Sequence, residues 1–146
     1  MKRLTLLLLA VLFSIVGYVV GYSSAQQQVE RKGVAAAVKL EGTDFGHLRE
    51  LNGKYTLRVT ETTFEPGGYV GEHQHVGPGI RFVVSGENTL VEQGKTRIYK
   101  AGDYYYETGA ITNSASNKTS SPTVVITFEI LPVDWKGGSA VPPKSK

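Results

Sequence analysis

From Val34 onward, short apolar runs alternate with polar breaks, and no stretch repeats apolar residues at helical spacing. The runs are rich in Val, Ile, Thr, Tyr and Phe and are separated by Gly, Asn, Asp or Pro. This predicts strands over Val34–Leu40, Lys54–Phe64, Ile80–Ser85, Asn88–Gln93, Lys95–Lys100, Tyr104–Glu107, Ile111–Ser116 and Thr123–Leu131. Gln93-Gly94 and Lys100-Ala101-Gly102-Asp103 read as turns, and the first of them closes a hairpin. Asp44–Leu51 fits a loop or a short helical turn. The pattern is that of an all-β sandwich or barrel over residues 34–135. Beyond it, residues 136–146 contain Gly137-Gly138 and Pro142-Pro143 and have little to bury, so a disordered tail is expected.

The first residues behave differently. Met1-Lys2-Arg3 precedes an apolar stretch from Leu4 to about Val20, followed by the small residues Ser23 and Ala25. That order predicts a secretory signal over residues 1–25, cleaved after Ala25. The alternative is a retained membrane anchor over residues 4–22, since the stretch is long for a signal. In either case the positive start holds the N-terminus in the cytoplasm and the domain is exported, to the periplasm or outside the cell. Of the 16 basic residues, Lys2 and Arg3 leave with the signal, so 14 remain against 13 acidic ones. A near-neutral domain without a basic, aromatic-interleaved patch is a poor nucleic-acid binder. There is no cysteine, which excludes thiolate nucleophiles, thiolate metal ligands and disulfide support.

The candidate chemistry lies in Gly67-Gly68-Tyr69-Val70-Gly71-Glu72-His73-Gln74-His75, which holds two of the three histidines. Alternate strand residues share a face, about 7 Å apart between Cα atoms. Two imidazoles at that spacing can converge on one metal ion. Glu72 and Gln74 fall on the opposite face.

This central part resembles the cupin family. Gly67 stands six residues before His73, His73-Gln74-His75 supplies the His-x-His element, and Gly86 falls at the closing glycine of the family's first motif. Ile80-Arg81-Phe82-Val83-Val84-Ser85-Gly86-Glu87 is similar to the strand and turn that follow the histidines. Ala101-Gly102-Asp103 opens the second motif, Thr108-Gly109-Ala110 replaces its Pro-x-Gly, and Asn117 matches its final asparagine. The resemblance implies a double-stranded β-helix, a jelly-roll barrel of two antiparallel sheets closing over a pocket. It also implies a divalent metal, which the family often holds with three histidines and one glutamate. Pairing into a homodimer is a further implication of the resemblance.

The ligand set is incomplete. The glutamate position is Gly79 and the last histidine position is Asn113, so His73, His75 and Asn113 remain as candidate metal ligands. A glycine contributes no charge to a dication, and an amide oxygen is a weaker ligand than imidazole. Glu107 is the best substitute donor, while His47 has no assignable place.

Other residues read as structure. Tyr104-Tyr105-Tyr106 are ordinary strand residues. Trp135 covers a barrel end. Arg81 alternates with Ile80 and Phe82, and becomes exposed if those two form the core. Gly77-Pro78-Gly79 is a turn. The serines at 114, 116, 120 and 121 lack a nucleophile elbow, and no phosphate-cradling loop is present. Asn117-Lys118-Thr119 is a glycosylation pattern, relevant only to a eukaryotic route.

The expected function is an exported single-domain barrel that binds a small molecule, a divalent metal, or both, without the full family ligand set. One alternative is a metal-dependent enzyme, dioxygenase-like or isomerase-like, built on His73 and His75. Another is a non-catalytic structural or interaction domain.

Overall fold

One strand carries the architecture. β2 runs without interruption from Tyr55 to His75 and belongs to both halves of the barrel. The sequence places a strand only to Phe64, because Pro66-Gly67-Gly68 reads as a break. Instead the chain bends there and continues. Gly67 adopts φ +73°, and a Cβ at Gly68 would collide with the Gly33 carbonyl of β1 (Arg31–Gly42). Glycine lets the backbone bend and two strands approach at the corner.

A computed structural model describes residues 28–144. The expected signal or anchor over residues 1–25 lies outside the described residues. Among the described residues, no helix is long and apolar enough to cross a membrane.

The other strands are β3 (Gly79–Ser85), β4 (Glu87–Glu92), β5 (Lys95–Lys100), β6 (Tyr104–Glu107), β7 (Asn113–Ser116), β8 (Thr123–Pro132) and β9 (Ala140–Val141). A 3₁₀ turn spans Arg49–Leu51. The ladder order is β5-β4-β7-β2-β8-β3-β6, with β1 and β9 also on β2. The first half of β2 pairs with β1 and β8 and the second half with β7 and β9. This all-β jelly roll bears out the predicted fold. Gln93 and Gly94 both take positive φ between β4 and β5, as a two-residue hairpin of the primed type requires.

Asn117 ties the corner down. Its Nδ2 donates to the carbonyls of Phe64, Glu65 and Ser121 at 3.0, 3.3 and 2.7 Å. Gly67 N donates to Asn117 O at 3.0 Å, and Asn117 N to Gly68 O at 2.9 Å. The amide therefore replaces ladder bonds that the bend interrupts.

The interior is apolar only in part. Phe64, Val70, Val83, Leu90, Ala115 and Val125 form the core, with Tyr99 and Tyr105 packed against it. Further along the same inward faces stand Thr56, Arg58, Arg81, Thr127 and Glu129, all buried. Buried charges need partners, and they surround a cavity.

Candidate ligand pocket

One inward row of side chains crosses five strands. In ladder register it reads Glu107 (β6), Gly79 (β3), Glu129 (β8), Arg58 (β2) and Glu41 (β1). Arg81, two residues along β3 from Gly79, faces inward as well. Its Nε donates to Glu107 Oε2 at 2.8 Å, and its Nη1 fills the space that a Cβ on Gly79 would need. Carboxylates and guanidinium groups therefore alternate along the row. Arg58 Nε pairs with Glu41 Oε1 at 2.7 Å.

The expectation that Ile80 and Phe82 form the core with Arg81 exposed is reversed. Arg81 is 3% exposed and Ile80 48%. β3 turns Gly79, Arg81 and Val83 inward, and the polar interior offers Arg81 a carboxylate that solvent-facing packing would not.

The facing wall carries the histidines. A register shift in β2 between Val70 and His73 changes the inward parity, so Val70, His73 and His75 all face in. His73 Nδ1–H donates to Gly71 O at 2.7 Å, which leaves Nε2 of the neutral ring as an acceptor. His75 Nε2 lies 3.2 Å from it and supplies the proton. His75 Nδ1 then accepts from Ser139 Oγ at 3.2 Å. The tautomers are assigned from this chain of partners. Burial is the main reason both rings stay neutral. It lowers His73 and, with Arg81, His73 and Arg31 adding to the effect, brings His75 down to about 2.

Glu107 Oε2 stands 3.4 Å from His75 Nε2. Burial raises the Glu107 pKa, and Arg81 and a hydrogen bond with Asn113 partly offset it. Asn113 lies opposite His73 in the β2–β7 ladder and is buried. The structure thus brings together His73, His75, Glu107 and Asn113. Glu72 is exposed, and Gln74 points away, donating to Ala110 O at 2.9 Å. His47 is exposed and is not part of the pocket lining.

Between the two walls lies a cavity of about 420 Å³. The segment after β8 covers its mouth. Arg58 donates to Trp135 O at 2.9 Å and to Gly137 O at 2.8 Å, Val76 N donates to Ser139 O at 2.9 Å, and β9 pairs with Gln74 and His75. The tail expected to be disordered therefore folds back through Lys144. Trp135 and Gly137 present the carbonyls that the buried Arg58 guanidinium requires, and that demand is invisible in composition.

The His pair has ligand character, with Nε2 atoms close together and one Nδ1–H fixed by a carbonyl. The third donor beside the pair, Glu107 Oε2, is held by Arg81 Nε at 2.8 Å. Among the described residues, no three His, Cys, Asp or Glu side chains form a group that would hold a metal ion. The nearest carboxylate oxygen is taken by Arg81, which brings its own positive charge into the space. The arrangement does not fit a resident divalent cation.

Residues 60–129 match the family model described as Cupin domain. The chain carries a cupin domain. Solved structures agree on the fold. A predicted oxalate decarboxylase from Thermotoga maritima is 23% identical, covering 74% of this chain and 96% of that one, with a TM-score of 0.53. A cupin domain from Bordetella pertussis is 22% identical, covering 69% and 96%, with a TM-score of 0.51. A polyketide cyclase from Streptomyces resistomycificus is 14% identical, covering 75% and 78%, with a TM-score of 0.55. At these identities the likeness concerns the fold alone. Among curated proteins no match is found.

In this cupin the sequence pattern located His73, His75, Asn113 and Glu107 but missed Arg58, Arg81, Glu129 and Ser139. The first three had a signal. Arg58 shares strand parity with Phe64, Arg81 with Val83, and Glu129 with Val125, all core residues. Ser139 had none.

Proposed function

We propose that this cupin binds a small polar organic molecule in the barrel cavity. The observation that carries the reading is a cavity of about 420 Å³ lined by buried charged and imidazole groups rather than by a sealed apolar core. Buried polar groups require partners, and several here have none among the described residues. A pocket of this kind suits a ligand with several hydrogen-bonding groups.

The test is native mass spectrometry of protein purified from its producing cells, with elemental analysis of the same sample. A co-purified small molecule, lost when Thr60→Phe fills the cavity while the fold persists, supports the reading. Stoichiometric metal with no organic ligand replaces it by the metal-dependent alternative. An empty cavity that also ignores a metabolite panel in thermal shifts leaves the interaction-domain alternative.

Export belongs to the same reading, and the mature mass checks it: cleavage after Ala25 removes residues 1–25, and an anchor retains them. A homodimer is also part of it. The outward row Tyr106, Ile80, Phe128 and Leu40 is 40–63% exposed, which favours a second copy against this face. Light scattering distinguishes dimer from monomer.

A further inference from the structure

We propose that Arg81 is the fixed cation of this pocket and that the ligand is an organic carboxylate seated on it without a metal ion. This rests on the small-molecule reading above and narrows it to one chemical class.

The first argument is steric. Gly79 stands where the family motif has its glutamate. A Cβ there would overlap Arg81 Nη1 and press on the Phe128 carbonyl at 2.8 Å. A glutamate stem at 79 and the Arg81 guanidinium in its present place exclude each other. Glycine at 79 thus leaves the room that the Arg81 guanidinium occupies, and this pocket holds a permanent cation where the family motif has a carboxylate.

The second argument is hydrogen bonding. Arg81 is 3% exposed and spends only Nε on Glu107. Nη1 and Nη2 are both buried with no partner among the described residues. Glu129, adjacent in the row and 2% exposed, does not satisfy them, because its Oε2 is without a hydrogen bond too. Two parallel N–H donors on a planar cation match the two oxygens of a carboxylate. Leaving them unmade in the interior is costly.

The third argument is the charge around the cavity. Arg31, Arg58, Arg81 and Lys136 line it against Glu41, Glu107 and Glu129. Glu107, the carboxylate beside the neutral histidine pair, is already held by Arg81 Nε at 2.8 Å, so the lining carries one more cation than carboxylates and favours an anion. The unpaired Oε2 of Glu129 gives the same ligand an acceptor for a hydroxyl or amine.

The experiment uses the mature protein dialysed against EDTA, with malonate and its uncharged isostere malonamide as probes in calorimetry and thermal shift. Malonate is expected to bind and malonamide to bind at least about tenfold more weakly. Arg81→Gln is expected to weaken malonate about ten- to hundredfold, and Arg81→Lys, which keeps the charge but loses the fork, to fall between. Circular dichroism confirms the fold of each variant. Equal binding of the two probes overturns the proposal while the pocket reading stands. Binding of malonate unchanged in Arg81→Gln, or dependent on added Mn²⁺ or Zn²⁺, overturns it as well. So does the absence of any response in wild type across formate, acetate, malonate and citrate, and the co-purified ligand then decides separately whether the pocket reading survives.

Discussion

The Arg81 guanidinium lies over Gly79, so that any side chain at 79 would have to displace it. Backbone φ at 79 is not in the left-handed region, and the requirement for glycine is one of space alone. Gly79→Ala is expected to cost about 1–3 kcal/mol by overpacking. Combining it with Arg81→Ser should recover the part due to the guanidinium, a non-additivity that a double-mutant cycle in urea measures. Strict additivity would mean that the two positions do not share the space.

The same relationship predicts a gain of function. Gly79→Glu with Arg81→Ser and Asn113→His rebuilds a carboxylate and a third imidazole around His73 and His75. Elemental analysis should then find close to one Zn²⁺ per chain, and His73→Ala in that background should remove it. A triple variant that stays metal-free would argue that Arg81 and Gly79 are not what keeps a metal from the histidine pair.

Acid should destabilise the native fold through its histidines. His75 titrates at about 2 in the fold and near 6.5 unfolded, and His73 is lowered too. Below 6.5 the unfolded chain takes up protons that the native state refuses, so this stability is present above 6.5 and is lost as pH falls, by up to about 1.4 kcal/mol per unit per histidine. Glu107, raised from 4.5, acts in the opposite sense: its contribution is complete below 4.5 and is lost as pH rises through its folded value. Two histidines outweigh one carboxyl between these limits. The urea midpoint should therefore be lower near pH 5.5 than near pH 7.5, and His73→Gln/His75→Gln should flatten the difference. A wild-type midpoint that does not move would contradict the buried neutral pair.

Removing residues 137–146 should loosen the mouth of the pocket. Arg58 would lose its bond to Gly137 O, and His75 would lose Ser139. We expect a loss of about 1–3 kcal/mol and faster amide exchange at Gln74 and Val76, which border β9 and Ser139. Unchanged exchange would mean the tail does not hold the mouth.

Asn117→Ala should be among the more damaging single polar substitutions. Three backbone carbonyls at the β2 corner lose their shared donor, at about 1–3 kcal/mol for a buried group left unsatisfied. Asn117 is 1% exposed, so the Asn117-Lys118-Thr119 pattern is not available for a glycan in the folded protein. Stability close to wild type would show that water replaces the amide.

Strands, hairpin and histidine pair were legible because each is written in neighbouring residues. β4 and β5 with their Gln93-Gly94 turn, and the alternation of Val125, Thr127 and Glu129, follow from propensity and pleat alone. What misled was parity. Ile80 and Phe82 look like core beside Arg81, and only knowledge of which face closes on a polar cavity turns the reading round.

Local spacing along the chain therefore determined an all-β barrel and put His73 and His75 on one strand face, and the resemblance to the cupin motifs added Asn113 on a segment that meets them. The tertiary structure decided what fills the space between them. Glu107, Gly79, Glu129 and Arg58 come from four strands and become neighbours only through the ladders of the closed sheet. The bend at Gly67-Gly68 and the return of the tail over Arg58 are likewise settled by contacts far apart in sequence. A buried charge takes whichever partner the fold delivers, and that partner is not recorded in the residues beside it.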